Sequence, residues 1–425
     1  MEQFIQLTLL LIVLIVLARA AALLGGRLGL PAAPVQLLIG ILLGPSLFNL
    51  LGMPIVLGTW GSIDPGPLHR ILKVLAEIGL IQLMFFAGLR TDWHQLKSDL
   101  KLVFSIGSWS FVLTALGVTI IIYWLVDRWA EALAIGAIMS ASSFGILLHH
   151  LGEMKLLESP KSSILSGGAI VSGLLAMLLM IASQATNYGA MYGVFRMTVA
   201  VSWFLGKLIM FFAISYFLAS RFINRIAKTG FQKRPRQMLV GYLLLVASLY
   251  AWAAMHFGSF AAACIASLGG ALLGTSNVEL KEKIAGGMGS VFASLPIGIL
   301  FVIFGMEVDF RVVWGQKTLL TALFVVVIFT KLIGSWVAVR KVIDSLPERI
   351  LVMLGNLYQG EMGFLIAAYL FSRGVVNPSQ FNSSITVVVV LTIVIPILTK
   401  YLKIPLTPSF SLVDKIRPRV GGGEG

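Results

Sequence analysis

Residues 80–93 read Leu80-Ile81-Gln82-Leu83-Met84-Phe85-Phe86-Ala87-Gly88-Leu89-Arg90-Thr91-Asp92-Trp93. A related stretch follows as Gly298-Ile299-Leu300-Phe301-Val302-Ile303-Phe304-Gly305-Met306-Glu307-Val308-Asp309-Phe310. Both contain a glycine, an apolar residue, two further residues, an aspartate and an aromatic. Gly88 to Gly305 and Asp92 to Asp309 keep one offset of 217 positions. About one offset also separates Ser143-Phe144-Gly145-Ile146-Leu147 from Glu361-Met362-Gly363-Phe364-Leu365. Each of the first two stretches ends an apolar run, and about 20 apolar residues carry a helix across about 30 Å of hydrocarbon.

Working outward, such runs fill the chain. Spans are expected at 4–24, 31–50, 69–89, 102–126, 132–150, 162–183, 197–220, 237–256, 258–274, 288–306, 318–339, 350–371 and 381–399. The composition is 58% hydrophobic and 12% charged, with a mean hydropathy of +0.94. The expected fold is therefore an all-α polytopic membrane protein of about 13 transmembrane helices. The repeat falls in the third and tenth spans. Seven spans apart, these cross in opposite directions, which is an inverted-topology repeat of the kind found in secondary transporters. The repeats run over about 30–220 and 237–400, inside a transmembrane domain of 1–403. A short polar tail, 404–425, follows, expected in the cytoplasm.

The net charge of +14 is topological. With the N-terminus outside, 23 of the 32 Lys and Arg fall in inward loops and six in outward loops; Lys73, Lys207 and Lys331 lie inside spans. That is the positive-inside asymmetry of a multi-pass membrane protein. It puts the C-terminus in the cytoplasm and argues against a nucleic-acid partner. The longest polar connection, Arg221 to Arg236, carries six basic residues and no acid, and suits anionic lipid. No cleavable leader is expected, because the first stretch runs past 20 residues and lacks a basic start. The lone Cys264 sits in an apolar span and reads as a small buried residue. No cofactor, metal cluster or enzymatic motif is expected.

Inverted-repeat transporters bind substrate near the midplane, where helices break. Ser140-Ala141-Ser142-Ser143-Phe144-Gly145 in the fifth span and Gly355-Asn356-Leu357-Tyr358-Gln359-Gly360-Glu361-Met362-Gly363 in the twelfth can both unwind. There Ser142, Ser143 and Gln359 offer polar groups, and half-helix ends offer dipoles. The plainer reading is close helix packing through small residues. Ionisable residues within a bilayer are functional candidates. Lys331, Glu361 and Glu77 are the proton-linked candidates, although Glu77 also suits a structural pair. His149-His150 can relay protons or sense pH, or sit plainly at an interface.

These residues resemble the monovalent cation:proton antiporters, in particular the branch with the Kef-type potassium efflux proteins and sodium/proton exchangers. The likeness covers about residues 5–400. It rests on Leu38-Ile39-Gly40-Ile41-Leu42-Leu43-Gly44-Pro45, Gly79 to Asp92, Ser142-Ser143 before Leu151-Gly152, Phe304-Gly305-Met306, Lys331-Leu332-Ile333-Gly334 and Gln359-Gly360-Glu361. The resemblance implies thirteen spans, a core domain and a dimerisation domain, a homodimer, crossed broken helices and elevator-like alternating access. It implies antiport of a monovalent cation and protons in a bacterial inner or plasma membrane, with Lys331 as the core lysine.

One departure bears on the site. The family's essential aspartate would fall at about Ser172-Gly173, and no carboxylate occurs within 159–185. Serine coordinates a cation but does not titrate near neutral pH. The expected ion or substrate site is therefore Ser142, Ser143, Ser172, Gly173, Lys331, Gln359 and Glu361. Two other uses of the fold remain open at this stage: an anion or other solute drawn to Lys331 and helix N-termini, or a non-transporting sensor or subunit of a membrane complex.

Overall fold

Two interrupted helices form the centre of the molecule. The computed structural model describes residues 2–28, 30, 32–49, 66–90, 100–153, 160–193, scattered positions between 195 and 213, and 294–401. In chain order the helices are α1 (Glu2–Leu28), α2 (Ala32–Leu43), α3 (Gly66–Arg90), α4 (Leu100–Val126), α5 (Trp129–Ser140), α6 (Gly145–Glu153) and α7 (Pro160–Tyr192). After these come α8 (Ser294–Met306), α9 (Phe310–Trp314), α10 (Lys317–Val339), α11 (Leu346–Leu357), α12 (Glu361–Ser372) and α13 (Pro378–Tyr401).

Among the described residues, seven stretches are long and apolar enough to cross a membrane. They are Thr8–Leu28, Leu100–Val126, Trp129–Leu148, Ile164–Ala190, Lys317–Val339, Leu346–Ser372 and Pro378–Thr399. Shorter apolar helices cover Ala32–Leu43 and Val74–Phe85. The second span is shorter than the expected 31–50. Helix α2 stops at Leu43 and turns through Gly44–Phe48, because Pro45 lacks an N–H and disfavours helix at the residue before it. The sixth is longer than 162–183, as α7 runs from Pro160 to Tyr192 before Gly193 takes φ +88°. Spans 237–256 and 258–274, most of 197–220, the Arg221–Arg236 loop, Cys264, Asp92 and the tail lie outside the described residues.

Burial sorts the helices. The stretches Trp129–Leu148 and Leu346–Ser372 are 94% and 89% buried, against 28% for Thr8–Leu28 and 33% for Leu100–Val126. The outer helices present Leu9, Ile12 and Val16 of α1 and Phe104, Leu116 and Ile120 of α4 outward, as lipid requires. The interrupted stretches occupy the middle, the only place where unwound backbone is tolerable at membrane depth.

Small residues set the closest approaches. A Cβ on Gly40 of α2 would lie 2.1 Å from the Val302 carbonyl oxygen of α8, and one on Gly305 would lie 2.3 Å from the Leu37 carbonyl oxygen. The repeated glycine at 305 thus lets α2 and α8 touch backbone to backbone. Ser46 reinforces this end, donating to Val308 O at 2.7 Å and accepting from Phe310 N at 3.0 Å. Asp309, the aspartate of the same stretch, caps α9 by accepting from Arg311 N. It also pairs with the Arg311 guanidinium at 3.0 and 3.1 Å, which holds the carboxyl below its usual range. Gly334 lays α10 on α4, since a Cβ there would meet Trp109 O at 2.6 Å. This contact fixes the helix that carries Lys331.

Candidate ion site at the crossing of two interrupted helices

Helix α5 ends at Ser140, Ala141 is extended (φ −62°, ψ 133°), and α6 starts at Gly145. Helix α11 ends at Leu357, and α12 starts at Glu361 after Gly360 at φ +153°. That backbone needs glycine, and a Cβ would also strike Ile146 Cδ1 at 2.1 Å. The two interruptions lie against each other. Ser143 N donates to Tyr358 O at 2.8 Å. Ser142 Oγ donates to Asn356 O at 3.0 Å, and Gln359 Nε2 donates to Met139 O at 2.7 Å. Each break thus satisfies carbonyls that the other leaves open, as backbone away from water requires. Thr392 of α13 adds a donor to Gln359 O at 2.8 Å.

Lys331 reaches this point from α10 and is fully buried. Its Nζ donates to Ala141 O at 2.9 Å, Ser142 Oγ at 3.0 Å and Asn356 O at 3.3 Å. An ammonium has three donors, and all three are used on neutral oxygens. Ala141 O and Asn356 O belong to the C-terminal ends of α5 and α11, where the helix dipoles place negative partial charge.

Glu361 holds the opposite pole. Its carboxylate accepts from the Ser143 hydroxyl and from Gly145 N at 2.6 Å, at the start of α6, while standing in the first turn of α12. Two helix N-termini therefore converge on one buried carboxylate. Ser143 Oγ also accepts from Ile146 N at 3.2 Å, completing the cap.

The stretch expected to hold an acid comes to the same place. Ser172 Oγ of α7 accepts from Ser142 N at 3.2 Å and donates to Ala169 O at 3.2 Å. A Cβ on Gly173 would meet Met362 Cε at 3.5 Å, an ordinary contact. Ser142, Ser143, Ser172, Gly173, Lys331, Gln359 and Glu361 are thus brought together. Glu77 stands elsewhere: it lines a partly open cavity with about 700 Å³ of empty space, with Glu307, Phe304, Phe364, Phe371 and Phe381. Glu307 went unmarked in the sequence reading although it follows the repeated glycine by two positions. The carbonyls of Ala141 and Asn356 carry no sequence signal, since any residue type supplies one. Thr399, which bonds Tyr358 and His150, was also missed; a lone hydroxyl near a span end gives no sign of what it meets.

The profile of the transmembrane sodium/hydrogen exchanger family matches residues 10–402. The chain belongs to this family. It is a membrane transporter of the cation:proton antiporter type. Among sequence relatives of this family member, the probable Na(+)/H(+) antiporter GerT of Bacillus cereus is 25% identical over 378 residues, covering 88% of this chain and 93% of the relative. The Na(+)/H(+)-K(+) antiporter GerN of Bacillus cereus is 23% identical over 403 residues, covering 94% and 96%. The structure of the sodium proton antiporter MjNhaP1 from Methanocaldococcus jannaschii at pH 8 superposes with a TM-score of 0.68 at 16% identity, over 95% of this chain and 99% of that one. This exchanger family member therefore shares the fold of that antiporter.

Proposed function

We propose that this antiporter exchanges sodium or potassium for protons at the crossing, with Lys331 as the proton-linked group. One observation carries the reading: the Lys331 ammonium occupies three neutral oxygens at the interruptions, Ala141 O, Ser142 Oγ and Asn356 O. Among the described residues no carboxylate lies within ion-pair distance of it. Carbonyl and hydroxyl oxygens are ligands for a hard monovalent cation as well as for an ammonium. A metal ion and an ammonium cannot share one set of oxygens in a medium less polar than water. The cation takes the oxygens as the lysine gives up its proton, and a returning proton restores the ammonium and expels the cation. The buried Gln359 Oε1, which has no hydrogen-bond partner among the described residues, supplies a further oxygen. Ser172, close by, orients Ser142 through its backbone N–H. Glu361 is a structural counter-charge in this scheme, and the Glu77–Glu307 cavity is the route by which the cation approaches.

The finer architecture belongs to the same proposal. Thirteen spans are part of it, and their arrangement in inverted repeats is supported by paired contacts at the crossing. Ser142 bonds the carbonyl of 356 and Gln359 that of 139, and both 142 to 359 and 139 to 356 are 217 positions. The buried carboxylates Glu131 and Glu348, in the first turns of α5 and α11, keep the same offset. The names of the relatives support sodium and potassium as the cations. A homodimer in the bacterial inner or plasma membrane, of the Kef-type branch, with the N-terminus outside and the C-terminus cytoplasmic, completes the reading, with lipid around it.

The test is dye-reported proton flux in proteoliposomes after a sodium or potassium jump. Wild type is expected to respond, Lys331→Gln to give only the background leak, and Glu361→Gln to retain exchange. Glu77→Gln should raise the half-saturating cation concentration without stopping exchange. Full exchange by Lys331→Gln would refute the assignment. Orientation is tested by Lys228→Cys on a Cys264→Ala background; labelling from outside intact cells would reverse it.

A further inference from the structure

We propose that a buried water is held beside Gly363, where α5, α12 and α13 meet, and that it heads a hydrated file along α13 by which protons reach the crossing apart from the cation. Acceptors that lack donors define the place. Gln359 Oε1 is fully buried and has no hydrogen-bond partner among the described residues. Ile138 O stands in the last turn of α5. The donor that a continuing helix brings to such a carbonyl is Ser142 N, which goes to Ser172 Oγ instead. Both oxygens border one spot. A Cβ on Gly363 would lie 3.4 Å from Gln359 Oε1, 3.4 Å from Ile138 O and 3.1 Å from Val388 Cγ2 of α13. A side chain at 363 would take that spot, and glycine leaves it to another group.

Buried oxygens without donors are costly. Water answers both, because it carries two protons to give and settles where polar partners surround it. A bare cation asks for a fuller shell of oxygens. The carbonyls next in sequence, Met139 O and Gln359 O, already accept from Gln359 Nε2 and Thr392 Oγ1. An amide oxygen has two lone pairs, so Gln359 Oε1 holds this water and still turns to the cation at the crossing.

The file follows from helix register. Gln380, Ser384 and Val388 recur every four residues along α13 and share a face. Gln380 turns that face to α5, since its Nε2 donates to Glu131 Oε2 at 2.5 Å. Val388 meets α5 again near Ile138, seven residues after Glu131. Ser384 therefore sits between these contacts. Its Oγ, like that of Ser383, is fully buried and has no partner among the described residues. A hydroxyl both donates and accepts, as a relay must. From Gln380 to Val388 the helix rises about 12 Å, a length that a few waters bridge. At the far end Glu131 pairs with Arg128 at 2.5 Å, and the Arg128 side chain is 64% exposed. At the near end Ile138 comes three residues before Ala141, whose carbonyl holds Lys331. Each oxygen takes a proton from one neighbour and gives one to the next, so a proton enters at one end as another leaves at the other. The Glu77–Glu307 cavity is a separate route, because none of its lining residues belongs to α5. The use of the file in exchange rests on Lys331 as the proton-linked group; the water beside Gly363 does not.

The test uses the full chain. In lipid nanodiscs, hydroxyl radicals made by a short X-ray pulse oxidise side chains that lie beside bound water. Ile138 and Val388, both fully buried, are expected to be oxidised in the wild type with or without saturating sodium. Gly363→Ala should lose most of that oxidation, since its methyl takes the place of the water. No oxidation in the wild type, or its loss on adding sodium, would overturn the proposal. In proteoliposomes, Gly363→Ala and Ser384→Val should lower the maximal sodium-driven proton flux several-fold and leave the half-saturating sodium concentration unchanged. Ser384→Thr has the size of the valine and keeps the hydroxyl, so it should recover most of the flux. Equal fluxes for the valine and threonine variants would overturn the file, and this pair decides the matter if Gly363→Ala fails to fold. Full exchange by Lys331→Gln with Ile138 and Val388 still oxidised would refute the lysine assignment and uphold the water.

Discussion

The C-terminal ends of α5 and α11 and the N-terminal ends of α6 and α12 meet at one place, yet they hold their charges differently. The C-terminal ends hold Lys331 by two carbonyls and one hydroxyl, each of which can serve another cation. The N-terminal ends hold Glu361 by a backbone N–H and a hydroxyl that itself caps α6. Oxygens are exchangeable partners for a cation, whereas an N–H of a helix start offers a cation nothing and favours an anionic acceptor. One pole is therefore suited to turnover and the other to holding the interruptions in register.

The strongest way to break this contrast is Lys331→Gln, which should abolish cation-driven proton flux and leave the protein folded. An equal loss in Glu361→Gln would mean that both poles turn over. Next in size is Gly360→Ala. It combines a left-handed backbone with a 2.1 Å clash against Ile146 Cδ1. The strained backbone alone costs about 1–3 kcal/mol, while Ile146 Cδ1, the far end of a flexible side chain, can move aside, so thermal unfolding in detergent should come earlier. Glu361→Gln weakens charge-assisted bonds worth about 1.5–3 kcal/mol; it should lower the melting temperature while exchange persists. Ser142→Ala removes one oxygen from the lysine and one donor from Asn356 O. It should cost about 1–3 kcal/mol, read as a raised half-saturating cation concentration. Gly173→Ala should be nearly silent, since its Cβ finds only Met362 Cε at 3.5 Å.

Much of this was legible before any coordinates. The apolar runs give the all-helical, multi-pass class, because the hydrocarbon thickness is fixed, whereas the bounds of the second and sixth spans depended on Pro45 and Gly193. The Ser-rich and Gly-rich interruptions were readable for the same reason: such residues are out of place at membrane depth unless backbone is meant to open. Lys331 was readable as a charge with no route to water. What stayed hidden lay in the backbone and in the partners. Nothing in the letters Ala141 or Asn356 tells that their carbonyls face an ammonium. Glu361 read as a candidate for proton chemistry, and only the Gly145 N–H and the Ser143 hydroxyl disclose an anion fastened to two helix starts. Glu77 read as one of a set with Lys331 and Glu361, whereas it lines a cavity with Glu307 that neither Lys331 nor Glu361 lines.

The contact of Gly40 with Gly305 has a mechanical side. Two helices that meet backbone to backbone, with no side chains between them to change rotamer, can only travel together. Helix α2 and helix α8 then behave as one stiff post. The ring of Phe304 on that post stacks on Phe364 of α12, with centroids 3.9 Å apart and planes 5° from parallel. Two flat faces in contact resist separation but offer little to oppose gliding. They make a bearing, and any shift of the crossing relative to the post would be expected to register first as slip between these two rings.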